Sequence, residues 1–182
     1  MKKLFILLIS AALVFACNNK SNNQQSEQNE TADLPQSQEE QQTSAQPEIG
    51  KVAPDFTLND LDGKPLKLSS LRGKHVVIDF WATWCVWCIK GMPEMKKYYD
   101  KYSDKLEIIS VDCEDAQEDW KLAVEENNMT WKNVYDENGK VNQLYQIEGF
   151  PTKIVLDTEG KILKVVEGED PAFYTYLDEL FK

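Results

Sequence analysis

Residues 75–80, His-Val-Val-Ile-Asp-Phe, form an apolar run of strand length, and within a few positions the pattern turns helical. Met92, Met95, Tyr99 and Tyr102 recur at spacings of three and four, the period of one helix face. Cys85 and Cys88 stand at this junction, in Cys-Val-Trp-Cys. Sulfurs placed across a first helical turn can close a disulfide without distorting the chain. The unpaired N–H groups of a helix N-terminus favour a thiolate, which lowers the pKa of the leading cysteine. Cys85 is therefore expected to be the nucleophile and the more exposed of the two. Cys88 would resolve a mixed disulfide by attacking Cys85 from inside.

A CxxC pair also serves haem attachment and zinc sites. Haem attachment needs His directly after the second cysteine, and Ile89 stands there. Zinc needs about four ligands, and only Cys113 and His75 remain as candidates. His75 opens the strand at the end away from Cys85, too distant at ~3.3 Å per residue to share an ion. No metal and no cofactor is expected. His75 itself is read as a structural residue at the start of its strand.

The neighbouring segments settle the fold class. Asp62-Gly63 separates Phe56–Leu58 from Leu66–Leu68, a small hairpin. Leu106 to Val111 is a second β-rich run, suited to a strand buried on both faces. Asp115, with Glu118 three residues on, is expected to form a capping box that opens a helix through Trp120, Ala123 and Val124. Lys153–Leu156 and Ile162–Val166 flank Thr158-Glu159-Gly160, a second hairpin. Asp170-Pro171 then opens a last helix, with Phe173, Leu177, Leu180 and Phe181 on one face. Pro93 is expected to kink the helix that follows the cysteines. The outcome is an α/β fold: a mixed central sheet with helices on both faces and an N-terminal β-hairpin extension.

Before this domain the composition differs sharply. Lys2 and Lys3 precede an apolar run from Leu4 to Phe15, which reads as an export signal over residues 1–16. The run is shorter than the ~20 residues a membrane-spanning helix needs. Ala16 directly before Cys17 resembles the lipobox of bacterial lipoproteins, which implies a lipid on Cys17 and anchorage to the membrane. Residues 17–48, dominated by Gln, Asn, Ser and Glu, are expected to be a disordered tether, because they cannot bury enough apolar surface to offset the entropy of ordering. The folded domain is expected over residues 49–182. A net charge of −11 without a basic patch argues against nucleic-acid binding.

The segment Asp79-Phe80-Trp81-Ala82-Thr83-Trp84-Cys85-Val86-Trp87-Cys88 resembles the thioredoxin active site, and Gly149-Phe150-Pro151-Thr152 resembles its cis-proline loop. Ala53-Pro54-Asp55-Phe56-Thr57-Leu58, with Asp136 to Gly160, narrows the likeness to the extracytoplasmic TlpA/ResA-like branch. It covers nearly all of residues 50–170. The resemblance implies an enzyme, a thiol–disulfide oxidoreductase. It implies a cis peptide at Pro151, with the backbone of Phe150 pairing with the substrate chain. Asp79 matches the family's buried acid, which takes the proton from the resolving thiol, Cys88. Trp84 and Phe150 would form an apolar surface around the reactive sulfur. Two departures stand out: Val86-Trp87 between the cysteines, where relatives usually have Pro second, and Gly91, where many relatives have Glu.

The favoured function is reduction of disulfides in exported proteins, such as the haem-binding cysteines of apocytochromes c, by a monomer supplied by a membrane electron donor. An oxidase or isomerase is the alternative, although Trp87 stands where such proteins often carry His. A peroxidase needs Thr three residues before its cysteine, and Thr83 is two before Cys85 and five before Cys88. A binding lipoprotein with a structural disulfide is the non-enzymatic reading. Cys113 is expected to be a half-buried inert thiol, with a third redox sulfur as the sharper alternative.

Overall fold

The computed structural model of this chain describes residues 47–182. The expected export signal, Cys17 and nearly all of the expected tether lie outside the described residues. Seven strands form one sheet in the order β2-β1-β5-β4-β3-β6-β7. They are β1 (Thr57–Asp60), β2 (Pro65–Lys67), β3 (His75–Trp81), β4 (Leu106–Cys113), β5 (Lys132–Asp136), β6 (Thr152–Leu156) and β7 (Ile162–Glu167). The helices are α1 (Val86–Tyr102), α2 (Gln117–Glu126), α3 (Lys140–Leu144) and α4 (Pro171–Leu180).

Both expected hairpins form. β1 pairs antiparallel with β2, and β6 with β7. The apolar runs His75–Phe80 and Leu106–Val111 become β3 and β4, parallel and adjacent near the middle of the sheet. Among the β3 side chains, alternation is sharp. Val77 and Trp81 join Cys85, Cys88 and residues of α1, α2 and α4 in one core. Val76, Ile78 and Phe80 join a second core on the opposite face, closed by Phe56, Leu68, Leu71, Val141 and Tyr145. Each fully buried side chain of this size removes enough apolar surface to stabilise the fold by about 1.5–3 kcal/mol.

Two local expectations need correction. The N-cap of α2 is Ala116 and no side chain caps it. Asp115 instead turns its carboxylate toward Thr83, a long-range pairing that outcompetes the local capping box. The buried stripe of α1 runs through Cys88, Gly91, Met92, Met95 and Tyr98, with Tyr99 and Tyr102 only partly covered beside it. Helix α1 continues through Pro93, whose missing N–H removes one rung of the helix ladder without ending it. Strand β5 and helix α3 carried no clear signal, because Lys-Asn-Val-Tyr-Asp is short and polar and α3 has only five residues. At the last helix, Asp170 accepts a hydrogen bond from the Ala172 N–H at 2.8 Å and Pro171 follows, as the sequence suggests.

Candidate redox site

Strand β3 ends at Trp81, and Ala82 to Trp84 carry the chain to the start of α1. Cys85 is the N-cap of that helix, and its sulfur accepts a hydrogen bond from the Cys88 N–H at 3.1 Å. The sulfurs of Cys85 and Cys88 lie 2.13 Å apart, bonded as a disulfide. Cys85 and Cys88 are 6 % and 5 % exposed, so in the oxidised form neither is the more accessible. The expectation of a more exposed Cys85 does not hold in this state. Ile89 and Phe150 pack against the cluster containing both cysteines.

Around this disulfide the surface is apolar. Trp84, Val86 and Trp87 are exposed, an unusual concentration of large apolar side chains within four positions of one loop and helix start. Trp84 meets Phe150 edge-on, with ring centroids 5.8 Å apart. The Phe150–Pro151 peptide is cis. The loop it sits in is pinned on both sides: the Thr152 hydroxyl donates to the Gly149 carbonyl at 2.7 Å, and the Gly168 N–H donates to the Pro151 carbonyl at 2.7 Å.

Beneath the disulfide the sheet carries a row of buried polar residues. Strand register places Asn133, Ser110, Asp79 and Lys153 side by side on β5, β4, β3 and β6. All four are buried. Asp79 lies between Val77 and Trp81 on the face shared with Cys88. The Trp131 indole N–H donates to the Ser110 hydroxyl at 2.8 Å, and that hydroxyl donates to Asp79 Oδ2 at 3.0 Å. Lys153 Nζ is 3.9 Å from Asp79 Oδ1 and 2.7 Å from Glu169 Oε2. Burial pushes the Asp79 carboxyl above its ordinary value; Lys153 and Ser110 pull it down, and the Glu169 charge adds to the rise.

This arrangement is a disulfide at a helix N-terminus, with Phe150 of a cis-proline loop packed against its cluster and a buried acid on the same face of the sheet. A family model described as the AhpC/TSA family matches residues 49–165, more than half of the chain. The chain belongs to this thioredoxin-like family. Within it, the chain is similar to the thiol–disulfide oxidoreductase ResA of Bacillus thuringiensis subsp. konkukian, with 37% identity over 123 residues, 67% of this chain and 71% of that one. Among solved structures it is similar to the thioredoxin domain of a thiol–disulfide oxidoreductase from Bacteroides vulgatus, at TM-score 0.69 and 34% identity, covering 74% of this chain and 99% of that one. A thiol:disulfide interchange protein from a Bacteroides species aligns at TM-score 0.67 and 34% identity, over 77% of this chain and 93% of its own. The chain is accordingly an enzyme of thiol–disulfide exchange, and it carries Cys85 and Cys88 at disulfide distance.

Cys113 is fully buried rather than half-buried. It packs in the core opposite the disulfide, so β4 delivers it to the same end of the sheet but to the other face. Burial, then the neighbouring Asp136, pushes its thiol far up. Lys153 and Glu169, like Ser110, Asn133 and Trp131, were not singled out from sequence. The available signal was a lone lysine opening the apolar run Lys153–Leu156, which only the register with β3 makes meaningful.

Proposed function

We propose that this protein reduces disulfides in exported proteins outside the cytoplasm, as a lipid-anchored monomer held by Cys17. The observation that carries the exchange chemistry is the Cys85–Cys88 disulfide at the start of α1, beside Phe150-Pro151. In the reduced protein the Cys85 thiolate, favoured by the amide groups at the helix start, attacks a substrate sulfur. The substrate disulfide breaks, one substrate thiolate leaves, and a mixed disulfide forms. Asp79 takes the proton of Cys88, whose thiolate attacks Cys85 Sγ and expels the second substrate thiolate. Two electrons have passed from the Cys85–Cys88 dithiol to the substrate, and a membrane electron donor restores the dithiol.

The exposed Trp84 and the adjoining Phe150 supply a surface for apolar segments of the partner, and the Phe150 backbone pairs with the partner's chain. Apocytochromes c, with paired cysteines that must be reduced before haem attachment, are one such class. Support for the reducing direction comes from the histidine-free Val86-Trp87 pair, since no imidazolium stands there to favour the reduced thiolate.

The test is the reduction potential of the Cys85–Cys88 pair, measured by equilibration in thiol–disulfide buffers. A value near or below about −270 mV supports the reductase. A value nearer about −120 mV makes the protein a disulfide donor and overturns the reducing direction.

A further inference from the structure

Lys153 is 3 % exposed at its side chain and lies between two carboxylates, Asp79 and Glu169, whose side chains are 8 % and 15 % exposed. One buried cation cannot fully compensate both the buried Asp79 and the half-buried Glu169, and an uncompensated buried charge is strongly disfavoured. The geometry shows which acid takes the cation. Lys153 Nζ donates to Glu169 at 2.7 Å and stands off from Asp79 at 3.9 Å. Asp79 Oδ1 is left with no hydrogen-bond partner.

Glu169 is held in place by features unrelated to Asp79. Its loop, between β7 and α4, is tied to the redox site by the Gly168 N–H bond to the Pro151 carbonyl. Gly168 has φ of 78°, a conformation that glycine adopts without strain. The Tyr174 hydroxyl donates to Glu169 Oε1 at 2.8 Å. Space for the carboxylate exists because residue 91 has no side chain: a Cβ on Gly91 would stand 2.4 Å from Glu169 Oε2.

We propose that Lys153 and Glu169 are positioning residues of the redox centre, in which Glu169 engages Lys153 and so withholds that cation from Asp79. Asp79 then holds a proton while the disulfide is closed. When an incoming thiolate attacks Cys85 Sγ, the Sγ–Sγ bond breaks and Cys88 leaves with the electron pair. The Asp79 proton passes to the Cys88 thiolate. In the reverse direction the Asp79 carboxylate removes that proton, Cys88 attacks Cys85 Sγ in the mixed disulfide, and the partner's thiolate departs. The groups facing Asp79 are Ser110 from β4, Lys153 from β6, Glu169 from the β7–α4 loop and Tyr174 from α4, with Cys88 of α1 on the same face. Lys153 is the cation among them.

This inference rests on the proton-carrying role of Asp79, and two measurements separate the two ideas. Loss of one limb of the pH–rate profile of disulfide exchange in Asp79→Asn tests the role of Asp79 alone. The coupling is tested by following the Asp79 carboxyl by carbon NMR in the oxidised full chain, with Asp79→Asn assigning the signal. In Glu169→Gln the cation is released toward Asp79, and its titration midpoint is expected to fall by about one pH unit or more. In Lys153→Met the cation is gone, and the midpoint is expected to rise. Shifts of the same sign, or no shift in Glu169→Gln, overturn the proposal. Should Lys153→Met not fold, Gly91→Ala supplies the second test. It keeps both charges but drives Glu169 from its seat, and must shift Asp79 in the same direction as Glu169→Gln.

Discussion

Asp115 holds Thr83 twice, accepting from its backbone N–H at 2.6 Å and from its hydroxyl at 2.7 Å. Thr83 lies in the short connection that delivers Cys85, and Asp115 follows the end of β4, so the two bonds tie the redox loop to the neighbouring strand. Removing the acceptor in Asp115→Ala leaves a part-buried N–H and hydroxyl without it. The expected loss is about 2 kcal/mol of unfolding free energy, read by urea denaturation. A loss near zero means that water replaces both bonds and that the loop holds its shape unaided.

In the proposed mechanism the two cysteines have different roles, which trapping tests. Cys88→Ser keeps the nucleophile but removes the group that resolves the mixed disulfide, so covalent adducts with partner proteins should accumulate through Cys85. Cys85→Ser should give none. Mass spectrometry of adducts from cell envelopes reads both, and equal trapping by the two variants contradicts the assignment.

Asp112 is buried beside Trp81, at the end of β3 that leads to the disulfide, and neither of its carboxylate oxygens has a hydrogen-bond partner. Burial, then the nearby Asp115, pushes its carboxyl up to about 9. An acid raised on folding binds its proton more tightly in the native state than in the unfolded one. Native stability therefore falls as pH rises from the ordinary value of 3.8 toward about 9, and levels off above that. Asp112→Asn lifts this penalty. Its stability relative to the parent should improve progressively across that window, by about 1 kcal/mol or more at the alkaline end. A gain independent of pH in thermal unfolding points to packing instead of charge.

Gly91→Ala sets two effects against each other. Alanine is favoured over glycine inside a helix by about 1 kcal/mol. Against that, the new Cβ collides with a carboxylate held by both Lys153 and Tyr174. Overpacking of this kind costs about 1–3 kcal/mol. We expect a net loss of stability in denaturant unfolding, relieved in the Glu169→Ala background, where nothing fills the space. Additive effects of the two substitutions argue against the contact.

Much of this protein is written in local pattern. The apolar runs at 75–80 and 106–111, the turn residues Asp62-Gly63 and the Asp170-Pro171 helix start all specify their elements, because strand period, φ preference and capping act over a few residues. The Cys85-x-x-Cys88 junction is equally local: it needs only a strand that gives way to a helix. Tertiary structure decided the rest. Asp115 carries the spacing of a capping box, yet its carboxylate goes to Thr83, and no local rule weighs a partner 32 positions away. Tyr98 rather than Tyr99 is buried, since the neighbouring helix and not the period alone chooses the covered face. Cys113 reaches the same sheet end as the disulfide but the opposite face, a consequence of pleating that depends on strand register. Register also gathers Ser110, Asp79 and Lys153, polar residues in largely apolar strands, into one buried row. Only the alignment of three strands sets the Asp79 carboxyl between the Ser110 hydroxyl and the Lys153 ammonium on the sheet face shared with the disulfide.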